Sequence, residues 1–327
     1  MPSYVTDANL NSYQLAFCGA VAGVMSRFVV APLDVVKIRM QLQNHPTQFP
    51  TFVHRSTMSN KVPTNIPTIK YTGVLHSLRT ILKEEGIKGW YKGNLPAEYL
   101  YLSYSAVEFW TYNELEQSMD KMAFKIPHTC KTFISGMVAG SVATTITYPF
   151  DLLRTRFAVQ GTTKHYTGIF QAIRSIYSIE GIKGFYPGIM PAIIQIMPYM
   201  GLLFASYDGL ASAFKKMRDE DILSKQYKST HDMLSGAISG IFSKTAVYPI
   251  DVVRKRLQVQ GPYLSNYVVQ STKYTSESWL QCMKSIAKQE GFRSLYKGLI
   301  PSLVKVAPAN AVTFLVFEET KKIFVLI

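Results

Sequence analysis

Three short strings carry most of the charged chemistry of this sequence: Pro32-Leu33-Asp34-Val35-Val36-Lys37-Ile38-Arg39, Pro149-Phe150-Asp151-Leu152-Leu153-Arg154-Thr155-Arg156 and Pro249-Ile250-Asp251-Val252-Val253-Arg254-Lys255-Arg256. Each sets an acid three residues before a base, which puts both on one face of a helix. Each follows a proline whose ring removes an intrahelical hydrogen bond and bends the chain. A second set of charges stands in otherwise uncharged surroundings. Five residues before the three prolines come Arg27, Thr144 and Lys244, and seven residues after Gly93, Gly188 and Gly298 come Leu100, Gln195 and Lys305. At 1.5 Å per helical residue the two tiers lie about 7.5 and about 10.5 Å from the same end. Arg27, Lys244 and Lys305 would therefore converge at one depth, where three cations fit a di- or triphosphate-sized anion. One acid joins them: Glu108, on the helical face of Tyr101 and Tyr104. It could serve a cationic, amine-bearing ring, or pair internally with Arg27 or a neighbour.

Hydrolytic and metal chemistry are not expected. The chain has no H-E-x-x-H string, no phosphate loop ending in Gly-Lys-Ser/Thr and no paired cysteines. Cys18, Cys130 and Cys282 suit neither a disulfide framework nor a four-thiolate site. A purely structural membrane protein would have no use for three cations at mid-depth, since charges inside spanning segments are costly and usually functional.

The elements that must position these residues are apolar helices. The 327 residues are 47% hydrophobic and only 17% charged, with 35 Lys and Arg against 21 Asp and Glu. Low charge in so long a chain points to segregation of charged from uncharged stretches. Six uncharged or nearly uncharged runs stand near residues 8–26, 93–107, 132–150, 184–207, 233–243 and 298–317. Most are near the ~20 residues that cross ~30 Å of hydrocarbon, and the shorter ones can be extended by flanking residues. Mean hydropathy is only +0.07, so such helices must hide one polar face. The connections 37–92, 154–187 and 254–297 carry 9, 5 and 8 bases against 2, 1 and 2 acids, whereas 113–131 and 208–232 are balanced. The basic connections are thus expected on one side of a membrane and both termini on the other. The basic surplus belongs to these loops, and no nucleic-acid partner is expected. Residues before Arg27 include Asp7 and no base, so an N-terminal cationic leader is not expected and targeting would be internal.

The same organisation occurs three times. After each proline motif comes a second string: Glu85-Gly86 to Trp90-Tyr91-Lys92-Gly93, Glu180-Gly181 to Phe185-Tyr186-Pro187-Gly188, and Glu290-Gly291 to Leu295-Tyr296-Lys297-Gly298. The first glycine of each most simply caps a helix. The last opens the next helix, whose free amides favour a phosphate. Before each proline lie Gly19 and Gly23, Gly136 and Gly140, Gly236 and Gly240, a small-residue seam expected to let helices approach closely. The repeats are placed at 13–117, 127–215 and 230–324 within one membrane domain. Residues 44–68, with four prolines, are expected to form a mobile loop.

With this tripled motif the chain resembles the mitochondrial carrier family, over about 13–324. The resemblance implies an all-α membrane protein: six transmembrane helices with pseudo-three-fold symmetry, three short matrix helices and alternating access in the mitochondrial inner membrane. The basic loops would face the matrix, the termini the intermembrane space, and a monomer is expected. Asp34, Asp151 and Asp251 would meet Lys37, Arg154 and Arg254 of neighbouring repeats in a matrix gate, an alternative being that the pairs only hold the bundle together. Gln41 and Gln258 would brace the gate; Ala158 replaces the third glutamine. At the opposite end the family pattern is intact only at Glu318 and Lys321, with Asp208 surviving in repeat two, so a weaker cytoplasmic gate is implied. Gly93, Gly188 and Gly298 mark cardiolipin sites, although Pro187 replaces the basic residue in the second; no other cofactor is implied. Leu100 with Tyr101, Gln195 with Ile196 and Lys305 with Val306 fall at substrate-contact positions. Gln195-Ile196 is not the Arg-acid pair of an amino-acid carrier. The runs Lys92 to Pro96, Tyr101 to Phe109 and Tyr148 to Phe157 are most similar to members that carry thiamine pyrophosphate. A carrier of nucleotides or of another phosphorylated cofactor such as coenzyme A is the alternative.

Overall fold

The computed structural model describes residues 12–43, 70–121, 128–162, 164–219, 228–264, 267–269 and 278–326. The proposed loop 44–68 and the residues before 12 lie outside these. The described secondary structure is helical. Three helices of 31 residues carry the proline motifs: α1 (Ser12–Leu42), α5 (His128–Ala158) and α9 (Lys228–Gln258). Each is followed by a 12-residue helix, α2 (Val74–Glu85), α6 (Ile169–Glu180) or α10 (Trp279–Glu290), and by one short helical turn, labelled α3 (Ile87–Trp90) in repeat one. The return helices are α4 (Asn94–Asp120), α7 (Ile189–Ile194) with α8 (Ile196–Asp219), and α11 (Leu299–Val304) with α12 (Val306–Leu326).

The break in the second and third return helices comes from a proline that the runs conceal. Pro198 and Pro308 stand ten residues after Gly188 and Gly298, where repeat one has Ser103. Each lacks the N–H that would reach back four residues and crowds that carbonyl, so the helix interrupts at Gln195 and Lys305 while α4 runs unbroken. The amides of Tyr199 and Ala309 then close on the carbonyls of Gln195 and Lys305 at 3.2 and 3.1 Å.

Packing closes the helices into a ring. α4 lies along α5, α8 along α9, and α12 returns to α1; α1, α5 and α9 meet one another at their motif ends. The 12-residue helices bury one face each, Ser77 with Ile81, Ala172 with Ile176, and Cys282 with Ile286, at the i, i+4 spacing of an amphipathic helix. Their C-terminal glycines take φ of +70°, +67° and +83°, and Gly86 and Gly181 bond back to Leu82 and Tyr177, as the capping expectation required. The small-residue seam does something else. A Cβ at Gly19, Gly23, Gly136, Gly236 or Gly240 would meet nothing within 4 Å, and at Gly140 it would meet the Tyr104 hydroxyl at an ordinary 3.5 Å. At the start of the return helices, Gly93, Gly188 and Gly298 are each at φ +80°, where a Cβ would stand 2.5, 3.0 and 3.0 Å from the carbonyl oxygens of Arg154, Arg254 and Lys37.

Three stretches, Phe17–Leu42, Ile189–Met217 and Phe292–Phe324, are long and apolar enough to cross a membrane. α4, α5 and α9 have the length, at about 1.5 Å per residue, and dilute their apolar character with polar residues that face one another in the ring.

Candidate functional site

The three motif acids and bases are brought together across repeat boundaries. Lys37 Nζ lies 2.9 Å from Asp251, Arg154 Nη2 2.7 Å from Asp34, and Arg254 Nη2 2.8 Å from Asp151. All six side chains are largely buried at the converging ends of α1, α5 and α9. Gln41 donates to Asp251 at 3.2 Å and to the Tyr248 hydroxyl at 3.0 Å; Gln258 donates to Asp151 at 2.6 Å. Ala158 can supply no such bond to Asp34.

The ring is therefore unequal, and an unassigned residue makes it more so. Lys255 reaches both oxygens of Asp151 at 2.9 Å, Thr155 at 3.0 Å and Gln258 at 2.9 Å. Asp151 is held by two bases and a glutamine. Asp34 is held by Arg154 and, at 2.6 Å, by Lys305. Lys255 stands where repeats one and two have Ile38 and Thr155, and that substitution is the signal by which it could have been found.

Above the ring lies a cavity of about 330 Å³, the size of a small-molecule site. Its lining holds Lys37, Arg154, Lys244, Arg254, Lys255 and Lys305 against Asp34, Asp151 and Asp251, a surplus of three positive charges. Of the expected substrate contacts, Leu100, Tyr101, Tyr104, Gln195, Ile196, Lys244 and Lys305 line it. Lys305 and Lys244 lean down toward the ring, Lys244 standing 3.7 Å from Asp251. Arg27, Glu108 and Val306 fall outside the lining. The Arg27 guanidinium lies 3.5 Å from the Tyr101 ring centre, a cation–π contact. The Tyr101 hydroxyl accepts from Arg154 at 2.9 Å. Glu108 accepts from the Tyr104 hydroxyl at 3.3 Å, one helical turn farther from the ring. Val306 is about half exposed. Gln195 Oε1 is buried with no hydrogen-bond partner among the described residues, leaving an acceptor in the cavity wall.

At the opposite end, Asp208 is exposed, Glu318 half-buried and Lys321 buried.

Below the ring a second charged layer had not been anticipated. The last base of each motif, Arg39, Arg156 or Arg256, is fully buried and binds both oxygens of Glu85, Glu180 or Glu290, the acid of its own Glu-Gly pair. Each Nε also donates to a neighbouring repeat, Arg39 to Ala158 at 2.9 Å, Arg156 to Gln258 at 3.2 Å and Arg256 to Gln41 at 3.3 Å. Such bidentate pairs fix geometry strongly. Burial would raise the Glu290 carboxyl, but its bonds to Arg256 and then Lys297 outweigh this and hold it at about 2. Glu85 is likewise lowered, burial again being outweighed by Arg39 and Lys92. The signal was legible as the pairing of each motif's last base with a later Glu-Gly.

A ring of helices around a basic cavity, shut at one end by ion pairs repeated three times, is the architecture of a solute carrier. The chain belongs to the mitochondrial carrier family: the model for "Mitochondrial carrier protein" matches residues 8–123, 127–218 and 225–326, one match per repeat. It is similar to proteins named mitochondrial thiamine pyrophosphate carrier 1, being 44% identical to that of Coccidioides immitis over 95% of this chain and 92% of the relative. The figures are 45%, 95% and 93% for Phaeosphaeria nodorum, and 42%, 95% and 92% for Neurospora crassa.

Proposed function

We propose that this protein carries thiamine pyrophosphate into the mitochondrial matrix by alternating access, in exchange for a (deoxy)nucleotide or another phosphorylated anion. The observation that carries the reading is the cavity lining, six bases against three acids. The relatives named for this substrate support it. A pyrophosphate would sit against Lys305, Lys244 and the ring bases, its oxygens accepting charge-assisted hydrogen bonds. The substrate's ring end would lie toward Tyr101 and Tyr104, with Gln195 Oε1 accepting from its amine and Glu108 facing its positive charge.

Transport follows from competition. Lys305 now bonds Asp34 and Lys244 approaches Asp251. Phosphate oxygens that draw these lysines upward weaken the ring at Asp34, the acid without a glutamine brace. The ring pairs are largely buried, so parting them is costly unless the freed charges find new partners; phosphate oxygens supply these for the lysines, a hydrogen bond to a charged group contributing about 1.5–3 kcal/mol. Binding can therefore offset the opening of the ring.

In this reading the six long helical units cross the inner membrane as a monomer, α2, α6 and α10 lie on the matrix side, and both termini face the intermembrane space. The basic connections all leave from the motif end, in keeping with charge bias across membranes. Asp208, Glu318 and Lys321 belong to a cytoplasmic gate, and Gly93, Gly188 and Gly298 to helix ends that receive cardiolipin phosphates.

A nucleotide or coenzyme A is the second reading. It is favoured by the position of Glu108, bonded to Tyr104 and outside the lining, which leaves the cavity wall without a free carboxylate for a cationic ring. Thermal unfolding of the purified protein separates the two. Thiamine pyrophosphate should raise the midpoint, thiamine alone should not, and ADP and coenzyme A should act more weakly; stabilisation by the nucleotide alone overturns the first reading.

A further inference from the structure

The three ion pairs of the ring are fastened from different sides. At two boundaries the fastening comes from a glutamine and from a tyrosine just before the motif proline. Gln41 bonds Asp251 and the Tyr248 hydroxyl, which in turn donates to the Lys297 carbonyl at 3.0 Å. Gln258 bonds Asp151, and the Tyr148 hydroxyl donates to the Pro187 carbonyl at 2.7 Å. At the third boundary, between Asp34 of repeat one and Arg154 of repeat two, both positions are alanine: Ala31 precedes Pro32, and Ala158 replaces the glutamine. A gap of about 10 Å³ remains beside the pair, bordered by Ala31, Asp34, Gly93 and Arg154, room for no more than about one water.

This pair is held from the cavity instead. Arg154 gives Nη2 to Asp34 at 2.7 Å and Nη1 to the Tyr101 hydroxyl at 2.9 Å. A guanidinium is planar and its terminal nitrogens are fixed relative to each other, so anchoring one at Tyr101 orients the other at Asp34. Lys305 holds the same carboxylate at 2.6 Å. Tyr101 and Lys305 both line the cavity, whereas Gln41 and Gln258 do not. The tyrosine is itself steadied by Arg27, whose guanidinium lies 3.5 Å from the centre of the aromatic face, a contact independent of the ion pairs.

We infer that Tyr101 is a positioning residue for transport: its hydroxyl takes the glutamine's place at this boundary, orienting Arg154 onto Asp34 from the side that the substrate occupies. The inference rests on the transport reading above and adds to it a second link between cavity and gate besides Lys305. A ligand drawn against Tyr101 competes for the hydroxyl or turns the side chain, and Arg154 loses its anchor. The boundary between repeats one and two then parts first, while Arg254, Lys255 and Gln258 keep their hold on Asp151. In the empty protein the same hydroxyl keeps the boundary shut, which makes opening depend on cargo.

The test compares exchange with net efflux in liposomes carrying the full-length protein, with thiamine pyrophosphate as probe. Exchange opens the gate with cargo in both directions, whereas net efflux requires the protein to return empty. Tyr101→Phe keeps the aromatic face for Arg27 and removes only the hydroxyl. It should raise net efflux about tenfold, as for the loss of a hydrogen bond to a charged group, and leave exchange within about twofold of wild type. The unfolding midpoint of the substrate-free variant should fall by a few degrees. Ala158→Gln should instead suppress net efflux, because an amide there would hold Asp34 from outside the cavity as Gln258 holds Asp151, and it carries the test if Tyr101→Phe does not fold. Should wild-type protein not carry thiamine pyrophosphate, the transport reading fails by itself, and the same ratio measured with ADP still decides the role of Tyr101. A wild-type ratio of efflux to exchange in Tyr101→Phe, an unchanged midpoint, or equal falls in both rates overturns the assignment.

Discussion

Replacing Lys305 by methionine tests the link between cavity and ring. Lys305 Nζ lies 2.6 Å from Asp34, and both side chains are mostly buried. Methionine keeps the stem's volume and removes the charge alone. A hydrogen bond to a charged group contributes about 1.5–3 kcal/mol, and losing one such contact to the pyrophosphate should weaken binding about 10- to 150-fold, at 1.4 kcal/mol per tenfold. Asp34 keeps Arg154 at 2.7 Å, so folding should survive with the unfolding midpoint lowered by a few degrees at most. Two readouts on one preparation suffice: uptake of labelled thiamine pyrophosphate into liposomes, and the midpoint with and without substrate. Wild-type uptake together with a full substrate-induced rise would refute the placement of the anion at Lys305.

Three further outcomes are expected. Glu108→Gln should weaken thiamine pyrophosphate uptake about fivefold, for a counter-charge worth about 1 kcal/mol, and leave nucleotide exchange unchanged or improved; equal loss for both would make Glu108 a purely structural partner of Tyr104. Gly93→Ala should be destabilised severely, because its Cβ would stand 2.5 Å from the Arg154 carbonyl at φ +80°; a midpoint within 1–2 °C of wild type, about 1 kcal/mol for a chain of this length, would contradict this. Glu290, held at about 2 against an ordinary value of 4.5, contributes stability that is fully present above pH 4.5 and lost as pH falls toward 2. The contribution is on the order of 3 kcal/mol, so an unfolding series from pH 6 to 3 should be flatter for Glu290→Gln than for wild type.

Much of the site was legible because each motif repeats, and a repeat placed around an axis implies its neighbours. Asp34, Asp151 and Asp251 meet the predicted bases of the next repeats. What the residues hid lies mostly where the repeats differ, and in the pairing of each motif's last arginine with a later glutamate, which no spacing along one helix indicates. Pro198 and Pro308 interrupt helices that read as continuous uncharged runs. Lys255 falls where the sister repeats have Ile38 and Thr155, and doubles the hold on Asp151. The convergence of Arg27 with the two lysines was argued from depth alone, but the side chains choose their partners by direction: Arg27 turns onto Tyr101, and Lys305 down to Asp34. The glycine seam suggests close-packed spans, whereas five of its six glycines have no neighbour within 4 Å of a Cβ, and tight contacts form instead at the motif end, as at Gly93.

The claim on which the rest depends is that this basic cavity carries thiamine pyrophosphate from one side of a membrane to the other. Protein reconstituted in liposomes loaded with a phosphorylated counter-anion should take up external labelled thiamine pyrophosphate, saturably and faster than from liposomes without internal anion. Uptake of labelled nucleotides or coenzyme A under the same conditions, with none of thiamine pyrophosphate, would contradict the account.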